Sequence, residues 1–333
     1  MSNTEAAARP EGPTDTPYAG LNPDCVLDAI ESLGLETDGR VQALNSYENR
    51  VYQIGIEDQL PLIAKFYRPG RWSDEGIAEE HDFSAELVEN GLEVVAPMQI
   101  AGATLHRHQD FRFALFPRRG GHAPEVDDKA TLTMLGRTIA RLHSTGVRDR
   151  FAHRPTLTID SHGRSPVEHL LSQRWIPDSL RSSFVSLTEA LFPHLEAAWQ
   201  RANQPRQLRL HGDLHLGNLL YRDEQLWIVD LDDCLTGPAI QDLWMLLSGE
   251  REERREQTEW LLEGYEEFRD FDRAELQLIE PLRTLRLLHF NGWLARRWHD
   301  PAFPMAFPWF DSPRHWESVI VQLQEQLSAL QEA

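Results

Sequence analysis

A chain of 333 residues with 41% hydrophobic and 26% charged residues has the composition of an ordinary globular protein and can bury one large or two smaller cores. Its formal net charge of −20 repels phosphate backbones at long range, which excludes a nucleic-acid partner and suits an enzyme. No apolar run approaches the ~20 residues needed to span a bilayer, no leader pattern opens the chain, and Cys25 and Cys234 stand far apart; no membrane partner and no disulfide framework are expected, and the expected location is cytoplasmic.

In chain order, residues 1–20 are rich in Ala, Pro, Thr, Glu and Gly without an apolar period and read as a disordered tail. Val26, Leu27, Ile30 and Leu33 then share one helical face ending near Gly34. Apolar and β-branched runs predict strands over 41–44, 51–56 and 62–66. Ser73-Asp74 opens a helix that runs to Asn90-Gly91 and buries Ile77, Phe83, Leu87 and Val88. Two further strands are expected at 94–100 and 111–116, and the Pro-, Gly- and charge-rich residues 117–126 form a candidate hinge. Beyond it Leu132, Leu135, Ile139 and Leu142 fall at helical spacing, with more helix over about 166–200, 254–268 and 272–298. Short strands at 219–221 and 226–229 interrupt these helices. Trp293, Trp298, Trp309, Phe310 and Trp316 are expected to form core or a packing collar in preference to an exposed docking surface. The pattern predicts an α+β chain with a small β-rich N-terminal lobe (21–118), a larger helical C-terminal lobe (119–333) and a nucleotide cleft between them.

The densest chemistry lies in His211-Gly212-Asp213-Leu214-His215-Leu216-Gly217-Asn218 and in Ile228-Val229-Asp230-Leu231-Asp232-Asp233. These segments flank the predicted hairpin, whose strands fold back on each other, so Asn218 and Asp230 converge. Phosphoryl transfer needs a group to receive the acceptor proton and hard oxygen ligands for Mg²⁺. Asn218 and Asp230 can supply the metal oxygens, which leaves Asp213 to accept the proton. Lysine is scarce: of 33 basic residues only Lys65 and Lys129 are lysines, so a retained lysine invites a reason. Cys234 directly follows the acidic cluster; a redox role is open, and a small buried side chain is the plainer reading.

These segments resemble the Brenner-type motifs of the protein-kinase-like phosphotransferases, which include aminoglycoside phosphotransferases and choline kinases, and correspond to the HRDxxxxN and DFG segments of protein kinases. Gly237-Pro238 with Gln241-Asp242-Leu243-Trp244 is similar to the family's GxPxxDL segment, and Arg141-Leu142-His143 adds to the likeness. Leu44-Asn45-Ser46-Tyr47-Glu48-Asn49-Arg50-Val51-Tyr52, Phe66-Tyr67-Arg68-Pro69-Gly70-Arg71-Trp72 and Asp300-Pro301-Ala302-Phe303-Pro304 look like the bacterial stress response kinase A group. The resemblance runs from about Leu21 onward. It implies a bilobal kinase fold, dependence on ATP and Mg²⁺, and phosphorylation of protein serine or threonine; the protein itself is a candidate acceptor, and a monomer is the expected state.

Within that resemblance Lys65 corresponds to the ATP-contacting lysine of a VAIK strand, with Glu80 as its helix partner and Glu79 as the alternative. No GxGxxG occupies the first hairpin, so Ser46 and neighbouring backbone N–H groups are the candidate phosphate contacts. Asp230 to Asp242 leaves no room for a long activation loop, which argues against switching by loop phosphorylation. Asp232 is open between a second metal contact and a structural role, and Asp233 is read as structural. Asp242 is expected to anchor the 211–218 loop, His215 either faces the acceptor or packs in its loop, and adenine is expected near 116–118. Two rival readings keep the fold: a kinase of a small-molecule hydroxyl, and a non-catalytic scaffold.

Overall fold

The computed structural model describes residues 16–332, so most of the expected tail lies outside the described residues. The part within them is held in place: the Tyr18 hydroxyl donates to the Glu48 carbonyl at 2.9 Å, and the Arg50 guanidinium lies 4.4 Å from the Tyr18 ring.

In chain order the elements are α1 (Pro23–Glu31), β1 (Thr37–Ala43), β2 (Arg50–Ile56), β3 (Leu62–Phe66), α2 (Asp74–Glu89), β4 (His106–His108), β5 (Phe111–Pro117), α3 (Lys129–Gly146), α4 (Ser165–Ser172) and α5 (Asp178–Arg201). There follow β6 (Leu208–Leu210), β7 (Leu219–Arg222), β8 (Gln225–Ile228), β9 (Leu235–Gly237), α6 (Gln241–Trp244), α7 (Arg251–Tyr265), α8 (Ile279–Arg297), α9 (Ala302–Ala306) and α10 (Pro313–Glu332). This is an α+β architecture with a five-stranded sheet in the N-terminal region and a mainly helical C-terminal part. Two compact units emerge, one of residues 18–157 with 205–276, the other containing 158–204 with the chain from 277 onward. The lobe boundary expected near residue 118 falls inside the first unit.

In the first unit an antiparallel sheet of order β1-β2-β3-β5-β4 packs on α1. Helix α1 starts where the Asn22 side chain accepts the Cys25 N–H at 2.9 Å, with Pro23 in its first turn. Its buried stripe of Cys25, Val26, Ala29 and Ile30 covers Ile54, Ile56, Phe66, Phe113 and Leu115 of the sheet. Helix α2 starts at Ser73, whose hydroxyl accepts the Gly76 N–H, and Ile77, Glu80, Ser84 and Leu87 lie along its buried face. That 3.6-residue phase turns Glu80 inward.

The sheet departs from expectation at one edge. Residues 94–100 form no strand; Val94 and Ile100 make only isolated bridges, and Pro97 within the segment has no N–H to give a ladder. The edge strand is β4, which pairs with β5 through His106↔Phe113 and His108↔Phe111.

In the second unit α10 packs on α5 and α8, and α4 packs on α8. The helix expected over 166–200 is broken ahead of Pro177, which disfavours helical backbone in the residue before it. Phe310 is fully buried, with ring centroids 5.1 Å from Trp175, 5.0 Å from Trp298 and 5.4 Å from Trp316. Most of the aromatic collar is therefore core of this unit; Trp309 remains 43% exposed. Among the described residues no helix is long and apolar enough to cross a membrane.

Candidate active site

All the residues singled out for chemistry lie in the first unit. Strand β6 pairs antiparallel with β9 through Leu208↔Gly237, and the β7–β8 hairpin pairs Leu219 with Ile228. The loop leaving β6 and the segment entering β9 therefore run side by side. Asn218 links them: its side-chain amide donates to the Asp213 carbonyl at 2.9 Å, and its own carbonyl accepts the Val229 N–H at 3.0 Å. Asp213, Asn218 and Asp230 are gathered at one end of the hairpin. Since the Asn218 nitrogen is committed to Asp213, its amide oxygen is the atom left to face a cation. Asp230 takes left-handed backbone angles (φ 60, ψ 66), which Asp tolerates better than most residues. Its side chain is 58% exposed.

A buried carboxylate holds the loop. Asp242 accepts the His211 N–H at 2.9 Å and the Gly212 N–H at 2.8 Å, and lies 3.1 Å from His143 Nε2. His143 Nδ1 is in turn 2.9 Å from the Tyr265 hydroxyl, which ties α3 and α7 to the loop. The Gln241 amide donates to the Gly212 carbonyl at 2.8 Å, and His211 Nε2 donates to the Val229 carbonyl at 2.9 Å. Gly212 has φ +86, and a Cβ there would clash with the Asp233 carbonyl. His215 Nδ1 accepts the Gly217 N–H at 2.9 Å, so the imidazole proton sits on Nε2, 3.5 Å from the Asp213 carboxylate. His215 is thus tied into its own loop and points at Asp213.

Lys65 lies in β3 opposite Val51 and Ala114 and is 6% exposed. Its ammonium is 3.1 Å from Glu80, 3.2 Å from Asp230 and 3.2 Å from Asp232, and 5.0 Å from the centroid of the Tyr67 ring. Burial alone would discharge it; Asp232, Glu80 and Asp230 outweigh that and hold the lysine pKa well above its ordinary value. Glu79 points elsewhere, accepting the backbone N–H groups of Ala152 at 2.6 Å and His153 at 2.9 Å.

The Ser46 hydroxyl donates to the Asn49 carbonyl at 2.7 Å, closing its own turn and leaving only lone pairs outward. Near the expected adenine segment Phe116 pairs with Ile63, and Pro117 offers an acceptor but no donor. Cys234 is fully buried and its thiol is pushed up to about 12 by burial, which makes it inert and removes the redox reading.

Sequence reasoning missed the surroundings of Asp232. This carboxylate accepts from Asn49 Nδ2 at 2.9 Å and pairs with Arg71, whose other nitrogen pairs with Asp233; Arg154 donates to the Asp232 carbonyl. Burial would raise its pKa, but Arg71, Lys65 and Arg154 hold it far below the usual carboxylate range. Asn49 and Arg71 lay in segments singled out only by family resemblance, with nothing local to reveal their partner.

The donor set fits a hard cation that keeps most of its waters. Among the described residues no group of three or more His, Cys, Asp and Glu side chains could hold a metal. One exposed carboxylate, Asp230, beside one amide oxygen, Asn218, is what Mg²⁺ needs when phosphate oxygens complete its shell.

Comparison with known proteins shows the family and the fold. The profile of the phosphotransferase enzyme family matches residues 40–279. Stress response kinase A from Escherichia coli is 44% identical over 315 residues, 95% of this chain and 95% of that protein. Serine/threonine protein kinase RdoA from Salmonella typhimurium is 43% identical over the same shares. Among solved structures, an amicoumacin kinase in complex with AMP-PNP, Ca²⁺ and Ami aligns with TM-score 0.70 at 20% identity, covering 91% of this chain and 92% of that one. A microcompartment-associated aminopropanol kinase aligns with TM-score 0.68 at 20% identity, covering 92% and 98%. At those identities the likeness is one of fold.

Proposed function

Because this chain belongs to the phosphotransferase enzyme family, within its stress response kinase A group, we propose that it transfers the γ-phosphoryl group of ATP to serine or threonine hydroxyls of proteins, itself included. The observation that carries the reading is the Asn218 side chain, bonded to the Asp213 carbonyl at 2.9 Å beside an Asp230 whose carboxylate is 3.2 Å from Lys65. A proton acceptor, two hard oxygen donors and a buried ammonium thus meet in one place.

In this reading Lys65, held by Glu80, neutralises charge on the α- and β-phosphates of ATP. Asn218 and Asp230 would hold Mg²⁺, which when bound would supply positive charge to screen the phosphates. Asp213 orients the acceptor hydroxyl and takes its proton. The β-rich lobe over 21–118 and the helical lobe over 119–333, Ser46 as an acceptor at the phosphates, and adenine near 116–118 belong to the same proposal, as do a monomeric working state and a cytoplasmic location.

One observation favours a small-molecule acceptor as the second reading. A cavity of about 630 Å³ adjoins Leu216 of the 211–218 loop and is lined by Glu125, Asp127, Glu256 and Trp260, a setting for a cationic amine. Incubation with radiolabelled ATP decides between them. Label on the chain or on generic protein substrates supports the protein kinase; label only on added amino alcohols or sugars overturns it.

A further inference from the structure

We propose that Asp232 is a positioning residue and not a second metal ligand: with Asn49 and Arg71 it clasps the 45–49 turn and the segment after β3 to the acidic loop, so that the nucleotide-binding groups are assembled before ATP arrives. The inference rests on the kinase reading above and adds residues that reading does not use.

Both carboxylate oxygens of Asp232 face positive charge that the chain itself supplies, although only one of them accepts hydrogen bonds. One accepts from Asn49 at 2.9 Å and pairs with Arg71, while the other lies 3.2 Å from the Lys65 ammonium. The Asp232 side chain is 4% exposed against 58% for Asp230, so only Asp230 presents a free face to an incoming cation. Asn49 is buried and spends both ends of its amide, giving Nδ2 to Asp232 and accepting the Arg68 N–H on Oδ1 at 3.1 Å. Arg71 splits its planar fork between Asp232 and Asp233, which a lysine ammonium cannot reproduce. The Trp72 ring backs the arrangement, with the Arg71 and Arg154 guanidinium carbons 4.9 and 4.1 Å from its centroid. Three stretches distant in sequence therefore close on one buried carboxylate. With no glycine-rich turn to mould around phosphates, a turn held from below is the alternative device.

The test separates clasp from ligand by removing the metal. Nucleotide affinity of wild type, Asn49→Ala, Arg71→Lys and Asp232→Asn is measured by calorimetry with ADP, in EDTA and in Mg²⁺, well below each variant's melting temperature. The clasp predicts that every variant binds ADP about tenfold or more weakly in EDTA. It also predicts a raised KM for ATP with kcat within a few-fold, and an Asn49→Ala/Asp232→Asn double variant no worse than the weaker single one. Loss of affinity in Asp232→Asn confined to Mg²⁺, or unchanged affinity in Asn49→Ala, overturns it. Should Asp232→Asn fail to fold, Asn49→Ala and Arg71→Lys decide the matter alone. Absence of any nucleotide binding or transfer by wild type would instead sink the kinase reading, and non-additive melting of the Asn49 and Asp232 variants without nucleotide would still report the clasp.

Discussion

Replacing Asp242 by alanine separates the anchoring of the 211–218 loop from its chemistry. The side chain is fully buried and accepts the backbone N–H groups of His211 at 2.9 Å and Gly212 at 2.8 Å. Alanine leaves both amides without an acceptor where water does not reach, and each such group costs about 1–3 kcal/mol, or about 2–6 kcal/mol together. At about 2–4 °C per kcal/mol for a unit of roughly 200 residues, a central loss of about 4 kcal/mol lowers Tm by about 8–16 °C. Burial would raise the Asp242 pKa, but its contacts with His143, above all the hydrogen bond, together with His211 and the Gly212 amide, bring it below the ordinary aspartate value. A lowered folded-state pKa contributes stability that is present above the unfolded value of about 3.9 and is lost as pH falls through the folded one. The gap in Tm between wild type and Asp242→Ala is therefore full at pH 7 and narrows below pH of about 4. Differential scanning calorimetry across pH measures it. A fall of less than about 2 °C at pH 7, or a gap that widens in acid, would refute the reasoning.

Asp213→Ala should reverse that pattern: phosphoryl transfer from labelled ATP falls by about 10²–10⁴-fold, as for a lost general base, while Tm moves little because the carboxylate is partly exposed; near-normal turnover removes Asp213 from the role. Glu80→Gln weakens the 3.1 Å contact to Lys65 and should raise the KM for ATP several-fold, whereas Glu79→Gln, which acts only on the Ala152 and His153 amides, should leave it unchanged; equal effects in the two variants would show that the helix phase has been misread. Cys25 and Cys234 are buried, and burial raises both thiol pKa values. An aromatic disulfide reagent at pH 8 should therefore label neither until denaturant is added, and prompt labelling of the native protein would contradict their burial.

The sequence was most legible where function is written in short stretches. The 211–218 loop and Asp230 could be read directly because a hairpin of fixed pairing brings both its ends together, whatever the rest of the fold does. Glu80 was reachable by helix phase, since a side chain three residues after Ile77 and four before Ser84 must share their buried face. The edge strand was misread: 94–100 carries apolar residues as good as any strand's, but Pro97 already told against a ladder there, and that β4 takes the edge instead is decided by pairing partners.

Short motifs, and the family resemblance they carry, identified an α+β phosphotransferase and singled out Asp213, Asn218, Asp230 and Lys65 as the residues to propose for its chemistry. Those are properties of residue type at short range, and chemistry constrains them strongly. Tertiary structure alone decided what surrounds Asp232, because its partners Asn49 and Arg71 stand 183 and 161 residues away and no local pattern encodes a pairing over that separation. It also decided that Ser46 turns its proton inward and that Cys234 is sealed. Each of these outcomes is set by which distant groups desolvate and bond a side chain, and that is known only once the chain has folded.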